Sequence, residues 1–396
     1  MSLPPGPGPG PALVPAHAPP PPPPVPLALL GAGGVGRALL RQIVANRARH
    51  AAELGLALDV RAVCDRTGAV VADRPAALAD EALLDIAAHK AGGGTLRGRD
   101  GAVALAPGTG LGALLAHLDA PALIVVDCTA TDEVTPHLLR VLARGRDVVL
   151  ANKLPLTGDL ATWDAFAGRA PAAALGPARG RVRWETTVAA AVPVIATLRR
   201  LLNAGDEVAR IAGSFSGSLN HLATELRAGR RFSDIVREAR DRHYLEPDPR
   251  TDLGGRDMAR KALILARMLG ARLTLEEVAA EPLFPPALAE VPVAAFYDAL
   301  PTLDQAMAAS VAAAQAAGGV WRYAAEVTSA GAAVGPTVAP ADSPLGRMRG
   351  TDNHVAFHTR WYADSPLVLE GRGAGVEATA SGVLADIVEL ALGARA

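Results

Sequence analysis

The chain has 396 residues, half of them apolar, and 39 lysines and arginines stand against 40 carboxylates for a net charge of -1. That size suits two domains, or one large α/β unit with a satellite, and the balanced charge gives no electrostatic reason to expect nucleic acid or an acidic membrane as a partner. Two cysteines, Cys64 and Cys128, exclude a disulfide framework and suit a reducing cytoplasm. No apolar run approaches the ~20 residues of a membrane span, and the first basic residue is Arg37, too late for the charged start of a signal peptide.

Residues 1–26 are half proline, with an unbroken run from Pro19 to Pro24, and are expected to be a disordered, solvated tail. Order is expected from Leu27, where Leu27-Ala28-Leu29-Leu30 reads as a buried strand. A glycine-rich turn follows, then helical spacing over 37–44. Residues 58–64 predict a second strand ending at Asp65, and 76–89 a helix. Further buried strands are predicted at 122–126, ending at Asp127-Cys128-Thr129, and at 147–150, ending at Ala151-Asn152-Lys153. Continuous apolar strands alternating with helices imply a parallel sheet covered on both faces.

The Ala/Gly/Pro-rich stretch 171–180 marks a boundary loop, and the pattern then changes. Strand-like stretches (182–188, 208–216, 321–328, 354–360, 366–370) mix with helices (192–203, 219–228, 233–242, 256–269, 302–317), and a last helix is expected over 380–392. The fold class is α/β: a Rossmann-type doubly wound parallel sheet over residues 27–155, plus an α+β substrate and dimerisation domain over 156–365. Residues 366–396 are expected to return to the first domain.

Gly31-Ala32-Gly33-Gly34-Val35-Gly36 lies between a strand and a helix. In that context the first glycine permits the tight turn, the second admits a pyrophosphate, and the third lets helix and strand pack closely. The helix N-terminus presents free N–H groups to the phosphates. At the end of the second strand Asp65 can bind an adenosine ribose hydroxyl, which favours NAD, while Arg66 can neutralise a 2′-phosphate, which favours NADP. The residues leave that choice open. Lys153, at a strand's carboxyl end, can reach the nicotinamide ring or the substrate.

The densest polar constellation runs from Tyr244 to Lys261. Glu246-Pro247-Asp248-Pro249 is a stiff, non-helical turn; Thr251 or Asp252 can cap the next helix; and Asp257 and Lys261, four residues apart, share one helix face. Glu246, Asp257 and Lys261 can converge on a small polar substrate. Alcohol oxidation needs a group that takes the hydroxyl proton as hydride leaves carbon, and carboxylates would hold a substrate ammonium. An ordinary surface ion pair is the alternative for Asp257 and Lys261.

This segment, in which Asp252 is the one acid kept from the family's acidic pair, resembles the signature of homoserine dehydrogenases. Leu201-Leu202-Asn203-Ala204-Gly205-Asp206, Ser214-Phe215-Ser216-Gly217-Ser218-Leu219-Asn220 and Gly371-x-Gly373-Ala374-Gly375 also look like segments of that family. The resemblance covers roughly residues 27–392 and is closest to the dehydrogenase half of bifunctional aspartokinase–homoserine dehydrogenases. It implies reversible NAD(P)-dependent oxidation of L-homoserine to L-aspartate 4-semialdehyde, in threonine, methionine and isoleucine biosynthesis. Lys261 would be the proton donor and acceptor, Lys153 would assist beside substrate and nicotinamide, and Glu246, Asp257 and Asp252 would bind substrate. Thr129 and Gly373 would contact the cofactor.

The resemblance also implies a homodimer and a structural sodium ion held by Glu185 and the carbonyls of Val188, Ala190 and Val192. Where the family's ion loop has glycines this chain has Ala189 and Ala191, and alanine does not readily take a positive φ. His243 and Thr251 also depart from the family pattern. Two other functions remain open. A phosphorylating semialdehyde dehydrogenase would need a cysteine nucleophile, and a non-catalytic NAD(P) sensor would be expected to lack Lys261 or Asp257.

Overall fold

In the computed structural model the described residues are 23–73, 76–99, 101–170, 179–242, 244–246 and 248–394. Most of the expected proline-rich tail, most of the 171–180 loop and His243 lie outside them. Strand β1 (Pro24–Leu30) starts three residues before the apolar run that predicted it. Its ladder to β5 begins only at Leu27, so the stretch carrying Pro24 and Pro26 is paired on one side, where missing N–H groups are tolerated.

Seven strands form the first sheet: β1, β2 (Ala57–Cys64), β3 (Gly68–Val71), β4 (Ala102–Ala104), β5 (Ile124–Asp127), β6 (Asp147–Leu150) and β7 (Val182–Arg183). Their order is β4-β3-β2-β1-β5-β6-β7. The five strands from β2 to β7 in that order are parallel, whereas β3 and β4 are antiparallel. The sequence suggested no antiparallel edge. Only Asp65, Arg66 and Thr67 separate β2 from β3, too few for a parallel crossover, so the chain must turn straight back.

Alternate residues of the parallel strands face opposite layers. Leu27, Leu29, Val126 and Val149 pack with Leu39 and Ile43 of the helix Gly34–Leu54 and Ile387 of the helix Val376–Gly393. Ala28, Leu30, Val125 and Val148 pack with Leu114, Leu138 and Leu142 on the other face. Strand order reverses between β1 and β5, so the carboxyl ends of those strands open a crevice where such sheets bind ligands.

The second sheet has β8 (Val208–Ser214), β9 (Ala279–Ala280), β10 (Gly319–Val327), β11 (Ala332–Pro340), β12 (Asp352–Thr359) and β13 (Leu367–Arg372), in the order β13-β12-β8-β10-β11-β9. Helices Gly217–Arg227, Arg256–Met268 and Asp304–Ala316 lie against it. Strand β11 had no sequence signal: it carries Gly335 and Pro336, yet pairs with β10 along its whole length.

Two boundaries differ from expectation. The strand predicted over 182–188 stops at Arg183 and becomes a tight turn at Glu185–Thr187, because the Glu185 amide donates to Asp386 of the last helix at 2.9 Å. Residues 367–372 stay in the second sheet as β13, so the return to the first domain begins with the helix Val376–Gly393, which packs along Gly34–Leu54.

Candidate active site

The glycine turn sits at the carboxyl end of β1. Gly31 has φ 92°, and a Cβ there would lie 2.7 Å from the Cys128 carbonyl; a Cβ on Gly36 would lie 2.0 Å from the Gly31 oxygen. Neither position admits a side chain, so turn, helix and the β5 end pack closely. Gly33 is different, because nothing lies within 4 Å of a Cβ built there. It faces open space where a pyrophosphate would approach the backbone. The helix that follows has no side-chain cap and no acidic residue in its first turn, which leaves its leading N–H groups for an anion. The described residues thus fit a dinucleotide.

Asp65 and Arg66 are not equivalent. Asp65 Oδ1 accepts from the Thr67 amide (2.8 Å), the Thr67 hydroxyl (2.7 Å) and the Gly68 amide (3.0 Å). Its Oδ2 accepts from Lys90 Nζ (2.7 Å) and the Leu96 amide (2.9 Å). Burial alone would raise this carboxyl, but Lys90 and these hydrogen bonds overcome it and hold the group well below the usual carboxylate range. Both oxygens are committed within the protein. Arg66 is exposed and, among the described residues, makes no ion pair.

At the ends of β5 and β6 the buried Asp127 accepts from the Thr129 amide (2.9 Å) and from Asn152 Nδ2 (3.1 Å). Asn152 Nδ2 also reaches the Thr131 carbonyl (2.8 Å), and its Oδ1 accepts from the Leu154 amide (3.1 Å). This bridge fixes the loop of Thr129 against the segment that presents Lys153. Neither bridging residue was among the expected site residues, because buried polar pairs at strand ends have no spacing signature.

Lys153 Nζ lies 2.8 Å from Asp257 Oδ1, and Lys261 Nζ lies 2.8 Å from Asp257 Oδ2. Lys261 also donates to the Phe215 carbonyl at 2.9 Å. One carboxylate therefore joins a lysine of the nucleotide sheet to a lysine of the helix Arg256–Met268. Burial pushes the Asp257 carboxyl up, but the two ammonium groups outweigh it and hold the group far below its ordinary value. Asp257 is ionised and anchors both lysines just past the carboxyl end of β6.

The acidic turn packs beside them. Asp252 accepts from the Glu246 amide and from Ser218 Oγ, both at 2.9 Å, and burial followed by the nearby charges of Asp257 and Glu246 raises its carboxyl. Asp252 therefore does not cap the next helix. That helix starts at Gly255, which has φ 70° and no side-chain cap, and Thr251 lies in the short helix Arg250–Leu253 before it. The Glu246 side chain is exposed. The Phe215 carbonyl and Ser218 escaped sequence analysis as site groups because their contacts span 46 and 34 residues.

Gly373 lies against the second domain, since a Cβ there would meet the Asn353 amide at 2.1 Å, and its carbonyl accepts from Asn353 Nδ2 at 3.1 Å. Three residues on, the Val376 side chain would be 3.2 Å from a Cβ on Gly34, so this stretch reaches the glycine turn.

The expected ion loop corrects one expectation. Ala189 (φ 62°) and its neighbour Ala190 (φ 55°) do take the left-handed conformation, at a cost of about 1–2 kcal/mol each, whereas Ala191 does not take a positive φ. The Glu185 carboxylate accepts from the Ile195 and Ala196 amides at 2.8 and 2.7 Å, and the Val192 carbonyl from the Val194 amide at 2.7 Å. Among the described residues no donor meets the Val188 or Ala190 carbonyls. An all-oxygen set with two orphan carbonyls beside a buried carboxylate fits a hard monovalent cation.

Residues 31–175 match the model of the homoserine dehydrogenase NAD-binding domain, and residues 193–388 match that of homoserine dehydrogenase. Over 274 residues the chain is 39% identical to bifunctional aspartokinase/homoserine dehydrogenase 2 of Zea mays, covering 68% of this chain and 29% of that protein. It thus spans less than a third of the maize protein. It is 38% identical over 281 residues to the homoserine dehydrogenase of Emericella nidulans, covering 67% of this chain and 75% of that one. In fold it is similar to a hyperthermophilic archaeal homoserine dehydrogenase solved in complex with NADPH, with a TM-score of 0.71 and 24% identity over 93% of this chain and 98% of that one.

Proposed function

The chain belongs to the homoserine dehydrogenase family, and from that premise we propose that it catalyses reversible NAD(P)-dependent oxidation of L-homoserine to L-aspartate 4-semialdehyde. The observation that carries this reading is the Lys153–Asp257–Lys261 chain at the carboxyl end of the nucleotide-binding sheet. A bound nicotinamide supplies the hydride acceptor for oxidation and the donor for reduction. In oxidation Lys261, after its ammonium has released a proton to solvent, takes the hydroxyl proton on its neutral amine; in reduction its ammonium supplies that proton, and the Phe215 carbonyl aims the nitrogen in both directions. Lys153 steadies the developing carbonyl oxygen. Asp257 meets both lysines, and Glu246 and Asp252 add two carboxyl groups in the adjoining turn, a set that suits the ammonium of an amino-acid substrate.

For the cofactor, Asp65 is neutralised and saturated by Lys90 and three amides while Arg66 is exposed and, among the described residues, in no ion pair, which supports NADP(H) over NAD(H). Thr129 packs beside Gly31 and the stretch from Gly373 to Val376 leads to Gly34, which supports both Thr129 and Gly373 as cofactor contacts. A sodium ion at Glu185, Val188, Ala190 and Val192 would brace the turn that leads into the helix Val194–Asn203. A homodimer through the second domain rests on the family resemblance, and a cytoplasmic location rests on the two free thiols; among the described residues no helix is long and apolar enough to cross a membrane.

The thiol-dependent alternative is disfavoured: burial pushes the Cys64 thiol up to about 12 and Cys128 higher still, which leaves no ready thiolate. Purified protein should reduce NADP in the presence of L-homoserine. Turnover only with the semialdehyde and phosphate, or cofactor binding without turnover, would overturn the reading.

A further inference from the structure

The helix that carries Asp257 and Lys261 ends in a cation that the reaction does not use. Arg267 is wholly buried, and among the described residues no carboxylate lies within ion-pair distance of it. Its guanidinium instead donates to three backbone carbonyls: Leu156 at 2.9 Å, Gly158 at 2.8 Å, and Leu273 at 3.0 and 2.8 Å. The Trp163 ring lies 5.9 Å from the guanidinium carbon.

Leu156 belongs to the short helix Leu154–Thr157, whose N-cap residue is Lys153, and Gly158 ends it. Two contacts therefore join this segment to the helix Arg256–Met268. Near the helix start, Asp257 takes the Lys153 ammonium; ten residues and about 15 Å later, Arg267 takes the segment's carbonyls. Apolar packing also holds the two pieces together, but it is non-directional, so with one polar contact alone it would leave their relative angle loosely set. Two contacts set both distance and angle.

Burying a guanidinium without a bonded carboxylate is costly, since Asp159 and Asp164 act on it only from beyond ion-pair distance, and an apolar side chain of similar length would fill the space more cheaply. What such a side chain lacks is direction: the planar fork of donors fixes three carbonyls at once. We propose that Arg267 is a positioning residue that registers the segment bearing Lys153 against the helix bearing Asp257 and Lys261. This inference rests on the reading of the two lysines as the reacting machinery. An error of about 1 Å between such groups can cost on the order of a hundredfold in rate.

The test is a double-mutant cycle of Arg267→Lys with Lys153→Ala, read as kcat and KM for homoserine oxidation well below the melting temperature of each variant. Arg267→Lys keeps the charge but cannot bond three separated carbonyls. It should lower kcat by roughly tenfold in the natural background, with KM for NADP unchanged, and by less than about twofold when Lys153 is already absent. Arg267→Gln, measured the same way, is the second variant. Equal losses in both backgrounds, no loss at all, or failure of both variants to fold would overturn the proposal, because each would reduce Arg267 to a support of the fold. An inactive natural protein would instead remove the homoserine reading itself.

Discussion

Replacing Asp257 by asparagine should damage the protein twice, in stability and in turnover. The carboxylate lies 2.8 Å from each of two ammonium groups and its side chain is 26% exposed. At an effective dielectric near 20 each attraction is about 6 kcal/mol, most of which is offset by desolvation of the partners. The site lies between an exposed pair, worth about 0–1 kcal/mol, and a buried one, whose disruption costs about 3–5 kcal/mol. Asparagine can accept from one lysine but turns an N–H toward the other. A loss of about 2–3 kcal/mol at pH 7 follows, with a fall in kcat/KM of roughly 10²–10⁴ because Lys261 loses its anchor.

The pH dependence has a definite sign. The folded carboxyl is held below its unfolded value of about 4, so its contribution is complete above about pH 4 and is lost as pH falls through the folded value. Urea melts of the natural protein and Asp257→Asn should differ by a constant gap from pH 7 to pH 5, which narrows below pH 4. A gap that is absent at pH 7 or widens in acid, or a kcat/KM within threefold of the natural value, would refute the reasoning.

Arg66→Ala should raise KM for NADP about tenfold and leave NAD unchanged, and Lys90→Ala should shift preference toward NAD by freeing Asp65; paired steady-state assays with the two cofactors check both. Glu246→Gln should raise KM for homoserine about tenfold with kcat less affected, since Glu246 is exposed at the acidic turn and touches neither lysine; equal loss in kcat would place it in the proton path. Folded protein should resist iodoacetamide at pH 7, as judged by intact mass, and Cys128→Ser should retain activity, because both thiols are held neutral by burial.

The glycine turn and the Asp257–Lys261 spacing were legible because each is local: one sits between strand and helix, the other on one helix face. The antiparallel edge was missed because β3 and β4 have four and three residues, too short to show a period. Strand β11 was missed because glycine and proline oppose strand propensity, and only pairing with β10 imposes it. At the site, Lys153 and Asp257 are about a hundred residues apart, and no spacing foretold that one carboxylate would hold both lysines. Asp65 reads in sequence as a ribose ligand; only the fold reveals that Lys90 and Leu96, 25 and 31 residues away, consume it.

The most direct test of a lysine proton relay at the cofactor mouth is single-turnover oxidation of L-homoserine by Lys261→Ala, with NADP binding followed in parallel by fluorescence. The account predicts that nucleotide still binds within about threefold of the natural protein while hydride transfer slows by at least a hundredfold. Transfer at close to the natural rate would contradict it.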